Sequence, residues 1–126
     1  MTYPSDYRFT KDHEWIVLRD GVAVVGISEF AQSELGELVF VDLPKIEKNL
    51  STGDILCVVE STKAASDVYC PVAGVVVEVN SKLVDEPGLV NKDPHGTGWL
   101  VKLSGVTSDH LASLMTAEEY SKFVQH

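Results

Sequence analysis

Short apolar runs rich in β-branched residues, each cut off by glycine or proline, set the limits on what this chain can fold into. Val22 to Ile27, Leu38 to Leu43, Ile55 to Glu60, Val75 to Val79 and Trp99 to Leu103 all carry residues that favour a pleated, half-buried backbone. Asp20-Gly21 between His13–Leu18 and Val22–Ile27 is a hairpin signal. Pro44 ends the second run, and Pro71, which cannot donate to a sheet, marks an edge or bend. Tyr7 to Thr10 adds a short strand. Strands spaced this closely and broken by such turns predict a β-sandwich or small barrel.

Helical signals are few. Ser28 is placed to cap a short helix over 28–35, with Glu29 at its positive end, Ala31 and Leu35 on one face and Gly36 as terminator. Ser81 to Glu86 predicts one helical turn. In the tail, Leu111, Leu114 and Met115 fall at helical spacing, and Thr116-Ala117-Glu118-Glu119 forms a capping box. Tyr120, Phe123 and Val124 then make an apolar face. Two short helices over about 108–125 are expected to pack on a strand core spanning about 7–103. No linker divides the chain, so residues 1–126 are read as one domain. Gly21–Gly26 and Gly74–Val79 resemble one another loosely and hint at two related halves.

A net charge of -9 opposes nucleic-acid binding, which calls for a basic face. No apolar run reaches membrane-spanning length, and Met1 to Phe9 lacks the apolar segment of a secretory signal. Cys57 and Cys70 lie in or beside apolar stretches and read as buried, reduced thiols, with a disulfide as the alternative. None of the four histidines (His13, His95, His110, His126) pairs at metal-ligand spacing, so a zinc site is not expected. There is no nucleophile elbow, phosphate loop or dinucleotide fingerprint. The chain does not read as an autonomous enzyme.

Between the runs ending at Val59 and starting at Val72, the stretch Ser61 to Ser66 offers almost nothing to bury. It reads as an exposed turn with Lys63 at its centre. Local pattern alone makes Lys63 a solvated charge, Glu14 an exposed strand carboxylate and Asp67 a turn residue.

Six blocks, taken in order, say more. They are His13-Glu14-Trp15; Val25-Gly26-Ile27-Ser28 with Ala31-Gln32 and Leu35-Gly36; Val39-Phe40-Val41-Asp42-Leu43-Pro44; Val59-Glu60-Ser61-Thr62-Lys63-Ala64-Ala65-Ser66-Asp67; Pro71-Val72-Ala73-Gly74 with Val77-Glu78-Val79-Asn80; and Asp93-Pro94 with Gly98-Trp99-Leu100. From Phe9 onward the chain resembles the H-protein family of the glycine cleavage system. The Glu-Ser-x-Lys-Ala block is its most specific part. Biotinyl carriers, by contrast, typically flank their lysine with methionines, where this chain has Thr62 and Ala64. Thr62 stands where the family more often has valine, Cys70 and Val75 replace smaller or polar residues, and Asp12 replaces a small polar one.

The resemblance implies a mainly β fold with short helices, a barrel-sandwich hybrid of the lipoyl/biotinyl-domain type with a helical C-terminal tail. It implies lipoic acid in amide linkage to Lys63, with Glu60 and Ala64 recognised by a lipoyl-attaching enzyme. Glu14 and Asp67 would line the cleft that shelters the aminomethyl-loaded arm. The implied role is a non-catalytic shuttle. It carries the aminomethyl intermediate from glycine decarboxylase, a pyridoxal-phosphate enzyme, to a tetrahydrofolate-dependent aminomethyltransferase, and the reduced dithiol to dihydrolipoamide dehydrogenase. The alternative is a relay that donates lipoyl groups to other acyl-transfer complexes. The expected compartment is the bacterial cytoplasm, or the mitochondrial matrix for a processed eukaryotic form.

Overall fold

Alternation of side chains along β2 (Glu14–Arg19) divides the protein into two cores. Ile16 points into a large aliphatic cluster, while Trp15 and Val17 point into a smaller aromatic one. The computed structural model describes residues 3–125; Met1, Thr2 and His126 lie outside the described residues, and with them the fourth histidine.

The Asp20-Gly21 hairpin forms as expected, joining β2 to β3 (Val22–Ile27) in register from Glu14↔Ile27 to Arg19↔Val22. Both turn residues have positive φ, as a tight hairpin turn of this kind requires. Around this hairpin a seven-stranded antiparallel sheet runs in the order β10-β1-β2-β3-β9-β8-β5. Its other members are β1 (Arg8–Phe9), β5 (Asn49–Leu50), β8 (Gly74–Val79), β9 (Val101–Ser104) and β10 (Met115–Thr116). A three-stranded sheet, β4-β6-β7, is built from β4 (Leu38–Asp42), β6 (Ile55–Ser61) and β7 (Ala65–Tyr69). Val41, Leu56, Val59 and Val68 of the small sheet share the aliphatic core with Ile16, Val25, Val76 and Leu103 of the large one. The two open sheets thus form a barrel-sandwich arrangement. The two valine-rich stretches that look alike, Gly21–Gly26 and Gly74–Val79, contribute β3 and β8, which pair with opposite edges of β9.

Helix α1 (Glu29–Leu35) begins where its cap was expected: Ser28 Oγ accepts from Ala31 N–H at 3.1 Å, and Gly36 at φ 83 ends it. The helical turn after Ser81 is α2 (Lys82–Asp85). The Thr116–Glu119 capping box starts α5 (Ala117–Phe123) and is reciprocal, as the spacing requires. Cys57 and Cys70 are free and buried.

Several expectations need correction. Trp99–Leu103 shortens to Val101–Ser104 and is not the last strand. Leu111, Leu114 and Met115 do not share one helix: α4 (Ser108–Leu111) stops, and Met115 extends to pair with Phe9 in β10. Pairing with a strand more than a hundred residues away overrides the local period there. Asn49 and Leu50, outside the apolar runs, also pair with β8. Helix α3 (Leu89–Lys92) was not anticipated.

Candidate functional site

The exposed turn shrinks to three residues, Thr62, Lys63 and Ala64, between the paired strands β6 and β7. Ser61 builds it. Its Oγ accepts from Lys63 N–H at 3.1 Å and Ala64 N–H at 3.2 Å, and its own N–H donates to Ala64 O at 2.9 Å. A short hydroxyl side chain can satisfy its own turn in this way, which makes the Glu60-Ser61 sequence a stiff platform. Ser61→Ala removes these two side-chain bonds and a third, which Oγ–H donates to Ala64 O at 3.2 Å. Amide exchange at Lys63 and Ala64 is expected to speed up by about tenfold, corresponding to about 1–2 kcal/mol of local stability; unchanged protection would show that strand pairing alone holds the turn.

Lys63 and Ala64 are exposed, and Glu60 is half-buried opposite Ala65 and Phe40. The lysine lies against Gly36: a Cβ there would sit 3.5 Å from Lys63 Cε and 3.7 Å from Nζ. Gly36 is itself pinned by Asn91 in α3, whose Nδ2 donates to Gly36 O at 2.8 Å and whose Oδ1 accepts from Leu38 N–H at 2.9 Å. Asn91 is a site residue that sequence reasoning missed. No local pattern announces a side chain that ties together positions more than fifty residues away.

A cleft of about 260 Å³ lies between α1 and the small sheet. Ile27, Phe30, Ala31, Leu35, Val59 and Val68 give it apolar walls; Asp12, Glu14, Glu34 and Asp67 bring carboxylates to it. Ala31 and Leu35, paired by their spacing in the sequence, share this face. The cleft begins beside the lysine turn, since Leu35 precedes Gly36 and Ser66 follows Ala65. It reaches Glu14, whose Oε2 accepts from Tyr69 N–H at 3.2 Å, at the far end of β7. At about 3.3 Å per residue, Ala65 to Tyr69 spans about 13 Å.

Glu14 and Asp67 therefore meet in one cleft, but in unlike states. Asp67 is exposed and lies within β7, not in a turn. Glu14 is not an exposed strand carboxylate: it is 2% exposed, with Thr10 Oγ1–H donating to Oε1 at 2.6 Å. Burial pushes its carboxyl up to about 7 from 4.5; bonds from Thr10 and Tyr69 partly offset this, and Asp12 adds to it. The folded state therefore holds a proton that the unfolded chain releases earlier. The contribution of Glu14 to stability is fully present below about pH 4.5 and is lost as pH rises through about 7. Glu14→Gln should flatten that decline, worth about 3 kcal/mol. Urea denaturation at several pH values tests this; parallel curves for the two proteins would refute it.

Among the described residues no cluster of potential metal ligands occurs, and no helix is long and apolar enough to cross a membrane. His95 is structural, its Nε2 accepting from Glu29 N–H at 3.1 Å, and His13 is bonded through Nδ1 to Tyr120 Oη at 2.8 Å.

The glycine cleavage H-protein family profile matches residues 7–126. The glycine cleavage system H protein of Alteromonas mediterranea is 51% identical over 122 residues, covering 96% of this chain and 95% of the relative. That of Carboxydothermus hydrogenoformans is 43% identical over 122 residues, covering 97% and 94%. The crystal structure of a glycine cleavage system H protein from Mycobacterium marinum superposes with a TM-score of 0.89 at 39% identity, covering 98% of this chain and all of that one. The lysine turn, the cleft beside it and these matches over nearly the full length agree: the chain belongs to the glycine cleavage H-protein family.

Proposed function

We propose that this protein is a lipoyl carrier of the glycine cleavage system, with the lipoyl group in amide linkage to Lys63. One observation carries the residue assignment: an exposed lysine lies against Gly36, on a turn flanked by Leu35 and Ser66 of an apolar cleft that leads to carboxyl groups. The group fits these residues. Its hydrocarbon chain suits walls of Ile27, Ala31, Leu35, Val59 and Val68, and Glu14 and Asp67 suit a cationic amine where water is partly excluded. When attached, the group would supply a dithiolane disulfide that is reduced as one sulfur takes up the aminomethyl unit, leaving a dithiol once the unit has been passed on.

The chain's own residues present the arm, shelter its tip and exclude water. Reaction steps belong to the partners: glycine decarboxylase, aminomethyltransferase and dihydrolipoamide dehydrogenase, with a lipoyl-attaching enzyme that reads Glu60, Ala64 and the turn. Tethering raises the effective concentration of the cargo at each partner site. Residues 1–126 act as one domain, and the expected setting is the bacterial cytoplasm.

The test is the intact mass of protein purified from lipoate-replete cells, followed by glycine–bicarbonate exchange with the decarboxylase. One added lipoyl group and robust exchange are expected. An unmodified chain in a cell that degrades glycine would sink the reading. A fully lipoylated chain that supports no exchange would favour a lipoyl relay instead.

A further inference from the structure

A chain of three hydroxyl and imidazole groups runs behind the cleft, linking it to the C-terminal helix. Tyr120 of α5 is fully buried, its ring stacked on Phe9 at 4.5 Å with planes 7° apart. Its Oη lies 2.6 Å from Ser28 Oγ and 2.8 Å from His13 Nδ1. Burial raises the phenol well above its ordinary range, so it keeps its proton. Burial also lowers the His13 imidazole, against the pull of Asp12 and Glu34, so the ring is neutral at pH 7. A neutral ring has a tautomer, and this network selects one.

Ser28 Oγ is fully buried, and among the described residues its partners are Ala31 N–H and Tyr120 Oη. The amide is a donor, so the serine proton goes to Tyr120 Oη. The tyrosine proton then goes to His13 Nδ1, which must accept. The opposite polarity would bury an unmatched serine hydroxyl. With Nδ1 engaged, Nε2 carries the hydrogen. Nε2 has no partner among the described residues, and His13 lines the cleft beside Glu14. The ring is fixed there by an unusual backbone as well, at φ 72.

We propose that Tyr120 is a positioning residue of the cleft: its hydroxyl holds His13 as the Nε2–H tautomer, giving the cleft a neutral hydrogen-bond donor beside Glu14 for an acceptor at the tip of the loaded arm, one of its two sulfurs. The proposal rests on the carrier reading and deepens it. Carboxyl groups alone suit the amine of the cargo; they do nothing for the electron-rich sulfurs next to it. A neutral N–H serves the sulfur without repelling the amine as an imidazolium would.

Two measurements test it. In unmodified protein with nitrogen-15-labelled histidine, at a pH above the titration of His13, the ring should show the Nε2–H form alone, and Tyr120→Phe should add a resolvable Nδ1–H population. In the lipoylated, aminomethyl-loaded protein, Tyr120→Phe should speed release of the cargo to water by about tenfold, the scale of one hydrogen bond. His13→Asn, which tolerates the positive φ, should do the same, and the double variant should be no faster than either. Phe9→Leu weakens the stack but spares the hydroxyl, and should retain the cargo. A wild-type Nδ1–H tautomer, a Tyr120→Phe protein as protective as wild type, or equal acceleration by Tyr120→Phe with and without His13 would overturn the proposal. A wild-type protein that loses cargo as fast as free lipoamide would refute the cleft reading and the proposal with it.

Discussion

Lys63→Arg is expected to abolish lipoylation and glycine–bicarbonate exchange completely while leaving the melting temperature unchanged. Arginine keeps the positive charge and much of the length, so recognition of the turn by electrostatics survives. What it lacks is an amine that can be acylated, because its guanidinium stays protonated at any working pH. The side chain is exposed and makes no ion pair among the described residues, and exposed substitutions of this sort fall within about 0.5 kcal/mol. The measurement is intact mass beside a thermal melt. A lipoyl mass retained on the variant would place the modification on another lysine. A large fall in melting temperature would show that Lys63 holds structure, contrary to its position on the turn.

Gly26→Ala should cost about 4 kcal/mol of stability and lower the melting temperature by roughly 15 °C. Gly26 lies in β3 directly across from Trp15. A Cβ at this position would approach the indole to 2.5 Å at Cζ2, 2.6 Å at Cε2 and 2.8 Å at Nε1. Side-chain atoms cannot share that space, so the indole must move. Trp15 is 1% exposed, packs on Tyr7 at 4.7 Å and donates from Nε1 to Pro94 O at 2.9 Å. Displacing it strains the aromatic core and strands a buried carbonyl. A Trp15→Leu change in the Gly26→Ala background should recover part of the loss, since it removes the collision. Chemical denaturation of the two single variants and the double one gives the coupling directly. Additive losses would mean that the two residues do not collide.

Much of this was legible in the sequence because it is local. Ser28, Gly36 and the Thr116–Glu119 pair announce their helix ends through atoms three or four residues apart. Asp20-Gly21 announces its hairpin for the same reason, and the lysine turn is marked by small residues between two apolar runs. What escaped depends on distance along the chain. Glu14 looks like an outward carboxylate until Tyr69, 55 residues later, donates to it and the small sheet covers it. Helix α3 is four residues long and is tied in by Asn91, which bonds to α1 and β4. Met115 leaves its helical spacing because Phe9 offers a strand partner. The partnership of Tyr120, Ser28 and His13 spans 92 and 107 residues, beyond any window of local pattern.

The placement of β9 bears on how the protein is made. Strands β4, β6 and β7 come from one continuous region, so the small sheet, with the lysine turn at its tip, is complete in sequence by Tyr69. The large sheet, which shares the aliphatic core with the small one, is completed later. Its strands β3 and β8 meet only through β9, which leaves the ribosome some thirty residues later, and β1 waits longer still for β10. Long-range pairings of this kind form slowly, and domains fold as their last partners emerge. The Lys63 turn can therefore take shape on a nascent chain before α5 arrives to complete the wall behind the cleft. On the proposed carrier reading, the handle is built before the shelter, and premature attachment would leave the arm without its resting place.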